Sequence, residues 1–68
     1  MIIRINLSRN NETKDIEVQT GSTVNDVLKK INLKPDTVIV MDKDKPIPID
    51  DVVVDGQDLT ILQVSSGG

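Results

Sequence analysis

Residues Val24–Val40 read VNDVLKKINLKPDTVIV, and a change of period inside this stretch decides the fold. Its first half places Val24, Val27, Leu28 and Ile31 at i, i+3, i+4 and i+7, one apolar stripe at helical spacing. Thr23, just ahead, with Asp26 three residues later, forms a variant capping box with Asp in the place of Glu. Lys29 and Lys30 fall in the last turn, where positive charge suits the helix dipole. Pro35 lacks an N–H and bars continuation, and Leu33 is expected to tuck into the core as the chain leaves the helix. From Thr37 to Met41 the sequence TVIVM is β-branched and mostly apolar, which reads as a short strand.

Upstream, Ile3, Ile5 and Leu7 alternate with Arg4 and Asn6, the period of a half-buried strand. Ser8-Arg9-Asn10-Asn11 supplies turn chemistry, because Asn tolerates positive φ. Ile16 and Val18 then alternate with Asp15, Glu17 and Gln19, so the first two strands read as a hairpin that Gly21 ends. Downstream, Asp42-Lys43-Asp44-Lys45 turns the third strand, and Pro46-Ile47-Pro48 returns as a brief piece that its prolines confine to a sheet edge. Asp50–Val54 is compatible with a loop or a short strand. Asp55-Gly56 is a turn pair, and Leu59–Val64 is the final strand.

The order is therefore strand, strand, helix, strand, short strand, strand. One apolar helix stripe and one apolar sheet face must cover each other, which gives a two-layer α+β domain. If the first and last strands lie side by side, they are parallel and central, the arrangement called a β-grasp. Residues 1–64 are expected to form this domain, with 65–68 as a flexible C-terminal tail.

Composition narrows the functions open to such a domain. With 68 residues there is room for one domain, and a chain of this size buries only about 60% of its unfolded surface. The sequence is 37% hydrophobic and 28% charged, too apolar for a disordered chain. It contains neither cysteine nor histidine, so the usual nucleophile–base pairs and zinc sites lack their parts. A net charge of −3 and the absence of Phe, Trp and Tyr argue against nucleic acid as a partner. No apolar run approaches the roughly 20 residues of a membrane span. Met1 leads into a strand-like pattern rather than a signal peptide, so a cytoplasmic location is expected.

The aspartates at 42, 44, 50, 51, 55 and 58 make the second half acidic. A calcium loop needs alternating acidic residues, a central Gly and a distant Glu; here Pro46 and Pro48 interrupt the run and no Glu follows. Solvated turn residues account for them better, and they can steer a basic partner surface at long range. The six lysines are ordinary surface residues, with none marked out as an acceptor.

This strand order, this length and the closing Gly67-Gly68 together resemble ubiquitin-like β-grasp proteins. More narrowly, the chain resembles the small sulfur carriers of thiamine and molybdopterin synthesis (the ThiS/MoaD family) and the small archaeal ubiquitin-like modifiers. The resemblance covers essentially the whole chain, and three stretches carry it: VNDVLKKINLKPDTVIV, then the KPIP return, then DGQDLTILQVSSGG. Gln63-Val64-Ser65-Ser66 departs from the longer, aromatic and proline-rich approach of molybdopterin carriers, while the length suits the thiamine carriers and the KPIP region the archaeal modifiers.

The resemblance implies a ubiquitin-like β-grasp with a mixed sheet of four to five strands on one helix. It implies that the chain is a protein co-substrate rather than an enzyme, with no bound cofactor. A separate adenylating enzyme would use ATP to activate the Gly68 carboxylate. The activated carboxyl would become a thiocarboxylate for thiamine, tRNA thiolation or molybdopterin synthesis, or be joined to lysines. The expected partners are that enzyme, then a sulfur-accepting synthase or target-protein lysines; the protein itself is expected to be monomeric. Glycine at 67 and 68 fits physically, because a backbone without Cβ enters a narrow channel that other residues cannot. Residues 65–68 span about 13 Å when extended. The alternative is a non-activated interaction module that docks through its sheet face, its glycines a merely frayed end.

Strand parity supplies the docking surface. If Leu59 and Ile61 face the helix, Leu62 and Val64 face out; if Val38 and Val40 point inward, Ile39 and Met41 share that outer face. Ile39, Met41, Leu62 and Val64 would then form an exposed apolar patch beside the tail, of the kind that marks an interaction site. Opposite parity in either strand would make some of these residues core.

Overall fold

A computed structural model describes residues 1–64 of the chain. The strands are β1 (Ile2–Leu7), β2 (Glu12–Glu17), β3 (Val38–Asp42), β4 (Lys45–Pro46) and β5 (Asp58–Gln63). The helix α1 (Val24–Lys30) follows β2, and a 3₁₀ turn at Pro35–Thr37 leads into β3. All five strands lie in one sheet in the order β2-β1-β5-β3-β4. The central pair, β1 and β5, is parallel, with Ile5 opposite Leu59 and Leu7 opposite Ile61. The other pairs are antiparallel, so the expected mixed sheet forms with its first and last strands side by side.

One face of the sheet supplies Ile3 and Ile5 from β1, Val38 and Val40 from β3, and Leu59 and Ile61 from β5. Val24, Val27 and Leu28 of α1 close over them, joined by Val18 and Val53. Leu33 packs against this cluster, as its position after the helix predicts. No polar or charged residue is buried among the described residues. A small domain with an all-aliphatic core draws its stability chiefly from burial and close packing.

Both ends of α1 are satisfied by identifiable groups. Thr23 Oγ1 accepts from the Asp26 N–H at 3.3 Å, and Asp26 Oδ2 accepts from the Thr23 N–H at 3.0 Å, completing the capping box. The two preceding helical N–H groups, of Val24 and Asn25, donate to the carbonyls of Asp51 and Ile49. The Thr23 backbone hydrogen bond holds the Asp26 carboxyl below its ordinary range; the Thr23 hydroxyl and Lys29 act in the same direction, and partial desolvation opposes them. At the other end Asn32 adopts φ 66°, its N–H donates to the Lys29 carbonyl, and the Leu33 N–H donates to that of Leu28. These two bonds make a Schellman motif, with Leu33 as its apolar anchor.

The turns show where backbone geometry overrode residue preference. Asn11 takes φ 51°, in keeping with its place in the first hairpin turn. In the β3–β4 hairpin Asp42 pairs with Lys45, so Lys43 and Asp44 form a two-residue loop, with φ of 51° and 68°. Positive φ at both positions is the type I′ pattern, which matches the twist of the strands but favours Asn and Gly over this pair. Gly56 at φ 80° sits in the turn closed by the Gln57 N–H on the Val54 carbonyl, where a side chain would be strained.

Several expected boundaries shift. Thr37 belongs to the 3₁₀ turn instead of opening β3; its N–H and hydroxyl both bond the Lys34 carbonyl. The return strand is Lys45–Pro46 and stops before Pro48, because the chain turns to cap α1. The second strand starts earlier, at Glu12, and the last spans Asp58–Gln63. Asp50–Val54 is a loop with a single bridge, between Val52 and Thr23. At the outer edge of β2, Lys30 Nζ donates to the Glu17 carbonyl at 2.9 Å.

Candidate functional site

The sheet face away from α1 divides into an apolar and a polar half. In β3 and β5 the inward residues Val38, Val40, Leu59 and Ile61 are at most 7% exposed, which sends Ile39, Met41 and Leu62 to the other face. Ile39 lies directly opposite Leu62, and Met41 opposite Thr60. Ile39 is 43% exposed and Val64 58%, while Met41 and Leu62 are half-buried. The predicted parity is the one observed, and these four side chains lie on the outer surface of β3, β5 and the residue that follows β5.

The polar half lies over β1 and β2. Arg4 Nε meets Asp15 Oδ1 at 3.3 Å, with both side chains more than half exposed, so the pair adds little to stability. Asn6 donates from Nδ2 to Asp58 Oδ1 and to the Leu59 carbonyl, and Thr13 Oγ1 donates to Asn6 Oδ1. This network ties β1 to both neighbours and fixes the register of the parallel pair. A depression of about 440 Å³ lined by Ile2, Arg4, Asp15, Asp55, Gly56 and Asp58 lies near the start of β5. Its charged side chains are Arg4 and the three aspartates. No cluster of His, Cys, Asp or Glu among the described residues could hold a metal ion.

β5 ends at the opposite end of the sheet, at Gln63. The Val64 N–H donates to the Thr37 carbonyl at 3.0 Å, which keeps residue 64 in register with the start of β3. Arg9, in the β1–β2 turn, reaches Gln63 Oε1 at 3.5 Å. Sequence reading did not single out Arg9. The signal was available: once β1 and β5 are parallel, the turn after β1 must flank the end of β5. Gly67 and Gly68, the expected point of activation, lie outside the described residues.

In chemical terms the described domain presents an apolar patch on the outer face of β3 and β5, next to the last described residue, Val64. Among the described residues no helix is long and apolar enough to cross a membrane.

Comparison with known proteins agrees with this picture. The solved structure of SAMP1 from Haloferax volcanii superposes with a TM-score of 0.76 at 17% identity, covering 100% of both chains. That likeness establishes the ubiquitin-like β-grasp fold. The chain is 33% identical over 58 residues to an uncharacterized protein of Archaeoglobus fulgidus, covering 84% of this chain and 85% of that one. It is 30% identical over 57 residues to the sulfur carrier protein TtuB of Thermus thermophilus, covering 84% and 88%. Residues 1–65 match the family described as small archaeal modifier protein 2 (SAMP2). The chain belongs to that family, among the ubiquitin-like modifiers and sulfur carriers.

Proposed function

We propose that this protein is a carboxyl donor: an adenylating enzyme docks on the outer face of β3 and β5 and activates the carboxylate of Gly68. The observation that carries the reading is the continuity between platform and exit. Ile39, Met41, Leu62 and Val64 lie on the strand pair that hands the chain on, and Val64 is held by Thr37 four residues before Gly68. An enzyme seated on that patch has the end of the sequence within reach.

The chemistry needs an outside enzyme, because a carboxylate is anionic and lacks a leaving group. A Gly68 carboxylate oxygen attacks the α-phosphorus of ATP, and pyrophosphate departs with the broken P–O bond. Hydrosulfide then attacks the carbonyl carbon, the C–O bond to AMP breaks, and a proton is released to leave a thiocarboxylate. A lysine amine attacking the same carbon gives an isopeptide bond and AMP. Relationship to TtuB, a sulfur carrier, supports the first outcome, and membership of a modifier family supports the second.

The test is intact-mass spectrometry after incubation with an adenylating enzyme from the same organism, ATP and sulfide. The expected product carries one sulfur in place of one oxygen, located at Gly68 by fragmentation. Deletion of Gly68 should abolish it. Unchanged mass, together with no lysine conjugates in the same organism, would refute the reading and leave a docking module.

A further inference from the structure

A second apolar surface lies far from the exit. Val52 and Val54 are 59% and 60% exposed, whereas Val53 between them is 2% exposed and part of the core. The alternation arises because Val53 is pinned inward: its N–H donates to the Ser22 carbonyl, while Val52 bridges Thr23 at the start of α1. The flanking valines are thereby turned to solvent. The Asp55-Gly56 turn then leads into β5, whose six residues at about 3.3 Å each put the chain exit about 20 Å away.

The charge around the valines selects what could cover them. Residues 49–58 read IDDVVVDGQD, with four aspartates and no lysine or arginine. Asp50, Asp51, Asp55 and Asp58 are all exposed. The ion pairs among the described residues join Arg4 to Asp15 and Lys14 to Glu12 and involve none of these four. Lys43 lines a depression with Val54, Asp55 and Asp58, and Arg4 one with Asp55 and Asp58, so the four carboxylates outnumber the two cations beside them. An apolar pair within a net-acidic rim repels nucleic acid, anionic lipid and a second copy of itself. It attracts a cationic surface with aliphatic side chains.

We propose that Val52 and Val54, rimmed by Asp50, Asp51 and Asp55, form a second docking surface for a lysine- or arginine-rich segment of another protein that bears aliphatic residues. The proposal does not depend on activation of Gly68. Such a surface lets a partner hold the domain while the exit end is engaged elsewhere.

The test uses the full chain, labelled with ¹⁵N, and three synthetic heptapeptides: alternating lysine and valine, lysine and serine, and glutamate and valine. The lysine–valine peptide should shift the amides of Val52–Asp55 at low salt and bind roughly tenfold more weakly to a Val52→Ser, Val54→Ser double variant. Asp50→Asn with Asp51→Asn should weaken it similarly, and Met41→Arg on the outer face should leave it unchanged. Equal affinity for the lysine–serine peptide would overturn the proposal by showing charge attraction alone. So would shifts confined to the outer face, no saturable binding up to millimolar peptide, or self-association of the chain through the valines in sedimentation equilibrium.

Discussion

Ile39 and Leu62 face each other across the β3–β5 pair on the side away from α1, while Ile61, one residue from Leu62, is 1% exposed on the opposite side. This one-residue alternation separates folding from docking. Because Leu62 is only half-buried, Leu62→Arg should cost about 1 kcal/mol and leave the domain folded. It should slow thiocarboxylate formation at least tenfold in the adenylation assay. Met41→Arg should behave alike.

Ile61→Ala is the matching control. Truncating a fully buried aliphatic side chain costs about 2–5 kcal/mol, a large share of the total stability of a domain this small. The variant should be substantially unfolded at 37 °C by circular dichroism.

Thr23→Ala removes the hydroxyl that accepts the Asp26 N–H and should cost about 1 kcal/mol in urea denaturation. Thr23→Ser, which keeps an acceptor, should recover most of it.

Asp26 also predicts a pH dependence. Its carboxyl is held below the ordinary range, chiefly by the Thr23 N–H, so the ionised form binds the folded state better. Its contribution is complete above about pH 4 and is lost as pH falls through the depressed folded value. Asp26→Asn should therefore lower the thermal midpoint at neutral pH and make the difference from the parent shrink as pH falls below about 4.

The Lys43-Asp44 loop offers a gain instead of a loss. Left-handed backbone costs an ordinary L-residue about 1–2 kcal/mol. Replacing the pair with Asn-Gly, the combination that type I′ turns favour, should raise stability by about 1 kcal/mol without altering the β3–β4 register. Chemical denaturation measures the gain, and the Met41–Pro46 and Asp42–Lys45 contacts seen by NMR check the register.

The sequence was most legible where a period persisted. Val38/Val40 and Leu59/Ile61 alternate cleanly against a single helix stripe, so the layers, the strand parity and the outer patch followed. What stayed hidden was set by neighbours distant in sequence. Nothing local tells Lys43 and Asp44 to take positive φ; the twist of two strands imposes it. Asn32 ends α1 because Leu33 finds an apolar seat, and Asn alone signals this weakly. The run VVV at 52–54 reads as uniformly apolar, and only the hydrogen bond from Val53 to Ser22 decides which valine is core. Arg9 emerged only once the parallel pair placed its turn beside Gln63.

The two rims of the sheet bear on solubility. On one side Lys30 occupies the Glu17 carbonyl, and the flanking strand, ETKDIE, is mostly charged. On the other the strand is two residues long and one of them is proline, which cannot donate to a further ladder. Both rims therefore disfavour pairing with an added strand. A concentrated solution of this protein should resist fibril formation, even though its core is built entirely from the aliphatic residues that fibrils favour.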